Sequence, residues 1–172
     1  MPIKYRAGLT DAELISLESA VNFTLPIAYK NFLARMNGFH LTDPDYGQLP
    51  LSAVEDGVIS FDRLFGVDSE EECNDLISFN NEFISELAFI KGILVIGEDG
   101  GGNPYVLVTE ASKDGVYYWD RTHLHESDKI NIYDIAGQDD CGHLYRIAGD
   151  FDEFYSLILT GLPDGVEFLE ES

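Results

Sequence analysis

Apolar residues recur at helical spacing in four stretches of the chain. In "LTDAELISLESAV" Leu14, Leu17 and Val21 share a face. Thr10 stands at the N-cap and Glu13 follows three residues on, which predicts a capping box with Leu9 and Leu14 as its hydrophobic staple. "LPIAYKNFLARMNG" predicts a second helix over 25–38. Pro26 suits a first turn, where its missing N–H would have no partner anyway, and Tyr29, Phe32, Leu33 and Met36 form the stripe. Asn37-Gly38 is expected to close it, because Gly tolerates a left-handed residue after the C-cap. "SEEECNDLISFNNEFISEL" predicts a third helix, opened by a Ser69/Glu72 capping box and burying Cys73, Leu76, Ile77, Phe83, Ile84 and Leu87. "GDFDEFYSLILTGLPDG" predicts the last, with Asp150 as N-cap, Glu153 in the capping-box position, Phe154, Leu157 and Ile158 inward, and Gly161 and Pro163 as its stop.

Shorter apolar runs bounded by turn residues predict strands. "VISFDRLFGV" is one, following an irregular stretch over 42–57. "GILVIG" (92–97), "PYVLVT" (104–109) and "GVYYWD" (115–120) are three more in succession, a meander turned at 100–103 and 113–115. Alternation puts Tyr117 and Trp119 on one face and Tyr118 on the other; a lone strand Trp is expected in the core, which leaves Tyr118 exposed. "HESDKINIYDIAG" fits a strand or a loop. Helices, a meander and a closing helix predict an α+β fold: a single domain, an antiparallel meander sheet flanked by N-terminal, middle and C-terminal helices. The domain is expected to span 1–172, with its core over about 9–162.

Composition changes this picture in one respect. A net charge of −22 would suit a disordered acidic chain, but 45% hydrophobic and 12% aromatic residues supply a core. The chain is expected to be a folded, strongly acidic globule that repels nucleic acid and anionic lipid and attracts basic proteins. No Lys or Arg stands between Arg35 and Arg63, nor between Arg63 and Lys91, so the middle of the chain is its most negative part. Cys73 and Cys141 make no disulfide framework. No basic n-region opens the chain and no apolar run is long enough for a bilayer, so a cytoplasmic location with reduced thiols is the expectation.

"GEDGGGNPYVL" holds three consecutive glycines, Gly100 to Gly102. A phosphate loop would end in Gly-Lys-Ser/Thr; here no Lys follows, and Glu98 and Asp99 would repel a polyphosphate. A tight turn between two strands is expected, with Asn103 bonding local backbone. His123 with His125, and Cys141 with His143, offer metal-ligand types two residues apart, but their spacing matches neither a zinc finger nor a ribbon. On a strand, His123 and His125 would point to one face. Cys141 with His143 also has the residue types of a nucleophile and base, yet Asp139 and Asp140 would raise the thiol pKa. No nucleophile elbow, kinase set or dinucleotide fingerprint is present, and no metal, cofactor or enzymatic activity is expected.

Taken in order, these segments resemble the SUKH superfamily, which includes fungal cell-wall-assembly regulators and bacterial immunity proteins against secreted toxins. The stretch "LPIAYKNFLARMNG" is similar to the family's Leu-Pro, Tyr, Phe-Leu, Asn-Gly helix, and "VISFDRLFGV" to its first core strand. "GEDGGGNPYVLV" resembles its acidic-Gly-Gly-Asn turn, "DGVYYWD" the strand after it, and "FDEFYSLILTGL" its C-terminal helix. The likeness runs from about Leu9 to Leu162; Pro104 and the long 120–146 stretch depart from it. The resemblance implies a non-catalytic protein that neutralises a cognate toxin, and the acidity suits a basic nuclease as that toxin. The alternative it leaves open is an interaction module of the cell-wall-regulator type; a metal-dependent enzyme stands behind both. The candidate partner-binding residues are Asp43, Asp45, Tyr46, Glu98, Asp99, Asn103, Tyr118 and Asp120. The carboxylates would meet a basic face and the aromatics would supply a desolvated centre. Oligomeric state is not readable from this pattern.

Overall fold

The computed structural model describes residues 2–42 and 46–172. Strand β1 (Pro2–Ala7) precedes helices α1 (Asp11–Val21) and α2 (Ile27–Arg35). Strands β2 (Met36–Leu41), β3 (Gly47–Pro50), β4 (Val58–Phe61) and β5 (Arg63–Leu64) come next. Helix α3 (Leu76–Phe83) lies between the 3-10 turns Glu72–Asn74 and Ile84–Leu87. The meander follows as β6 (Ile93–Glu98), β7 (Pro104–Val108) and β8 (Gly115–Trp119). Strand β9 (Leu144–Ala148), helix α4 (Phe151–Thr160) and strand β10 (Glu167–Glu170) complete the chain.

The main sheet has eight strands in the order β10-β1-β2-β5-β6-β7-β8-β9, and β3 pairs with β4 in a second sheet. Every pairing is antiparallel except β1 with β10. The architecture is the expected α+β one. The register sets Tyr5, Phe39, Leu64, Gly97, Tyr105, Tyr118 and Tyr145 in one row across the sheet. Helices α2 and α4 cover this face: Phe32 meets Phe39 edge to face, and Phe154 lies 5.2 Å from Tyr105 between ring centres. On the opposite face α3 packs along β6, and Arg121 bridges the Phe83 and Trp119 rings.

Both faces of β8 are therefore buried. Tyr118 is 1% exposed, which corrects the expectation that it faces solvent. Alternation separated Tyr118 from Trp119 correctly, but it does not say that helices lie on both sides.

The capping box on α1 forms: Glu13 N–H donates to Thr10 Oγ1, and Thr10 N–H to Glu13 Oε2. Asp150 caps α4 by accepting from Glu153 N–H. Two expected helix ends are corrected. Helix α2 stops at Arg35, and Asn37-Gly38 belongs to β2. Gly38 has φ +75°, and a Cβ there would lie 2.6 Å from Gly66 N. Asn37 exchanges two hydrogen bonds with the Val67 backbone. The pair thus serves a close chain crossing rather than a cap. Helix α3 begins at Leu76, capped by Asp75 instead of Ser69: the Asp75 carboxylate accepts from Ser78 N–H and from Ser69 N–H. Cys73 falls on the preceding 3-10 turn and is exposed, not buried.

The expected strand over 58–67 breaks at Asp62 into β4 and β5, which belong to different sheets. Strand β5 has only two residues. Beyond it, Asn80 takes the place of a strand, accepting from Val95 N–H and donating to Val95 C=O. Both outer edges are protected against pairing with other chains. Asp134 accepts from Arg146 N–H beside β9, and β10 carries the exposed Glu167 and Glu170. Among the described residues no helix is long and apolar enough to cross a membrane.

Candidate partner-binding face

The glycine-rich turn is built around Asp99. Its carboxylate accepts from Gly101 N–H (2.7 Å), Asn103 N–H (3.0 Å), Asn103 Nδ2 (3.0 Å) and the Tyr118 hydroxyl (3.2 Å). Gly100 and Gly102 adopt positive φ, +80° and +92°, which lets the backbone close round that carboxylate. Asn103 is 1% exposed. Its Oδ1 accepts from both the N–H and the hydroxyl of Thr122. The turn between β6 and β7 is in this way joined to the segment that follows β8.

That segment is an ordered loop. Asp120, 3% exposed, accepts from the consecutive N–H groups of Leu124 (2.8 Å) and His125 (2.9 Å). The buried His125 holds Asp128 through Nδ1 at 2.8 Å, and this bond draws the Asp128 carboxyl below its usual range. Asp128 also accepts from Glu55 N–H, while Glu55 accepts from Lys129 N–H. Ile132 N–H donates to Ala53 C=O. Asn131 donates to His125 C=O and accepts from the Tyr145 hydroxyl, whose pKa burial pushes up to about 12. His125 Nε2 is buried and has no partner among the described residues.

The residues singled out from the sequence fall into three groups. Asp43 and Asp45 lie outside the described residues. Tyr46 is exposed beside Gln48, Leu162 and Pro163, and Glu98 is half-buried 3.6 Å from Arg63. Burial raises the Glu98 pKa, and the Arg63 charge offsets this only in part. Asp99, Asn103, Tyr118 and Asp120 form the hydrogen-bonded frame beneath the loops; three of them are buried and Asp99 is half-buried. Sequence reasoning missed the side chains this frame presents: Leu124, Ile130, Ile132 and Tyr133 are all exposed. The available signal was "KINIY", apolar residues alternating within a polar stretch.

His123 and His125 do not share a face, because they lie in a turn instead of a strand. His125 points inward, whereas His123 adopts φ +59° with Nε2 2.9 Å from Asp140 C=O. His143 accepts from Gly137 N–H and stacks on Tyr133 at 3.8 Å. Burial is the main cause that raises the Cys141 thiol pKa, with Glu86 and Asp139 adding to it. Among the described residues no group of three His, Cys, Asp or Glu side chains could hold a metal ion.

A groove of about 1210 Å³ lies over β1, β2 and β5. Its floor carries a cross-strand row, Lys4, His40 and Arg63. The cations are already engaged: Lys4 pairs with Glu171, Arg6 donates to Val67 C=O, and Arg63 meets Asp62 at 2.6 Å.

Four helices around a mostly antiparallel sheet make an α+β domain consistent with the SUKH fold. The family model of the SMI1/KNR4 family (SUKH-1) matches residues 8–157, and the chain belongs to that family. Strands β1 and β10, which pair with each other, lie outside the matched residues.

Proposed function

We propose that this chain is an immunity protein of the SUKH type, acting in the cytoplasm without catalysis. It binds a cognate protein toxin, a basic nuclease, and covers the toxin's nucleic-acid groove. One observation carries this choice within the family: a net charge of −22 on a folded domain whose loops are fixed by internal hydrogen bonds. A rigid display of carboxylates occupies a cationic groove with little ordering cost on binding. Glu98 and Tyr46 are partner contacts in this scheme, as are Asp43 and Asp45; Asp99, Asn103, Tyr118 and Asp120 hold the face in shape.

The experiment is co-expression. A secreted nuclease toxin sought in the genes neighbouring this chain's own is induced in a sensitive host with and without the chain. Protection of growth, together with a 1:1 complex on gel filtration, is the expected result. Undiminished toxicity with no complex would reject the proposal.

A further inference from the structure

We propose that the loop over residues 124–133 is the apolar centre of the docking surface, and that its partner is a basic protein with an apolar pocket. This rests on the toxin-neutralising function proposed above and locates it on the molecule. Leu124 is 61% exposed and Ile132 69%, and Ile130 and Tyr133 are exposed with them. Among the described residues eleven large hydrophobic side chains are exposed, and four of them fall in this short stretch. Asn131 forms a β-bridge with Val54 and turns its side chain inward to Tyr145, so Ile130 and Ile132 project outward together. The Asn131 bond to His125 C=O ties the segment that carries Leu124 to this one.

A flexible loop would fold such residues inward or leave them to wander. This one is fixed by Asp120, Asp128, Asn131 and the Ala53–Glu55 backbone, and it still holds its apolar groups in water. Preorganised apolar anchors inside a polar rim are the anatomy of an interface centre. The rim decides the occupant. Six exposed carboxylates lie within the loop or on segments that adjoin it in sequence or by hydrogen bonds, those of Glu55, Asp56, Glu126, Asp134, Asp139 and Asp140, against the cations Lys129 and Arg146. Asp139 and Asp140 form a tight turn in which both residues are left-handed, φ +51° and +63°, so their carboxylates stand at its apex. A second copy would bring another charge of −22 onto this rim, and anionic lipid or nucleic acid is repelled likewise. A basic protein complements it.

The probe is a purified, catalytically inactivated variant of the toxin domain used in the co-expression experiment, titrated against the full chain. Ile130→Ser with Ile132→Ser should leave the melting temperature within about 2 °C, since exposed side chains contribute little to stability. It should weaken Kd at least about 30-fold, through faster dissociation, at low and high salt alike. Ile15→Ser with Ile27→Ser, exposed positions on the helices, should leave Kd unchanged. Binding by the loop variant within twofold of wild type would overturn this inference and leave the proposed function standing. Failure of the wild-type chain to bind would remove both.

Discussion

The Asn103 side-chain oxygen receives both hydrogen bonds that Thr122 directs to it, one from the backbone N–H and one from the hydroxyl, each 2.9 Å long. Because Asn103 also donates to Asp99, one buried carboxamide couples the glycine turn to the loop after β8. Asn103→Ala leaves the Thr122 N–H and an Asp99 oxygen without these partners. A loss of about 1–2 kcal/mol in urea unfolding is expected, since the groups left unpaired are only part-buried. The Thr122 amide should also exchange faster with solvent. A loss below about 0.5 kcal/mol would show that water replaces these bonds.

Tyr29 presents the opposite case. Its ring packs 4.9 Å from Phe151 and 6.3 Å from Phe32, but its buried hydroxyl has no hydrogen-bond partner among the described residues. Burial alone raises the Tyr29 pKa. Tyr29→Phe keeps the packing and removes the unpaired group, so stability should hold or rise by about 0–1 kcal/mol. Thermal unfolding checks this, and a clear fall would mean that the hydroxyl is satisfied in solution.

Glu98 sets a pH dependence. Burial raises its carboxyl above the ordinary value of 4.5, against the opposing charge of Arg63. The folded chain therefore holds this proton more tightly than the unfolded chain. The stability linked to it is fully present below the ordinary value and is lost as pH rises through the raised folded one. Glu98→Gln removes the ionisation, and Arg63 keeps Asp62 at 2.6 Å. The variant should melt above wild type at neutral pH, and the difference should close as pH falls through the carboxyl range. A difference independent of pH would place the effect elsewhere.

Helix spacing and capping chemistry made α1, α4 and the meander legible, because these signals are local. Thr10 and Glu13, or Asp150 and Glu153, meet within one turn whatever the rest of the chain does. Asn37-Gly38 misled because the same pair serves a helix end or a chain crossing, and only the approach of Gly66 decides. Strands β1 and β10 are far apart in sequence, and their pairing leaves no local mark. The candidate residues were chosen one by one from turn and strand signals, and those local signals do not show which of them hydrogen-bond inside the fold. Asp99, Asn103, Tyr118 and Asp120 do converge on one region, but as its frame. Polar side chains that hold loops look the same in sequence as polar side chains that meet a partner.

Capture of a basic toxin by charge has its signature in the association rate. Stopped-flow mixing of the full chain with its inactive toxin domain, from low to high ionic strength, should show the rate falling by about 10-fold or more as salt screens the acidic face. Dissociation should change far less, because the apolar centre is insensitive to salt. An association rate that does not move with ionic strength would contradict capture by charge.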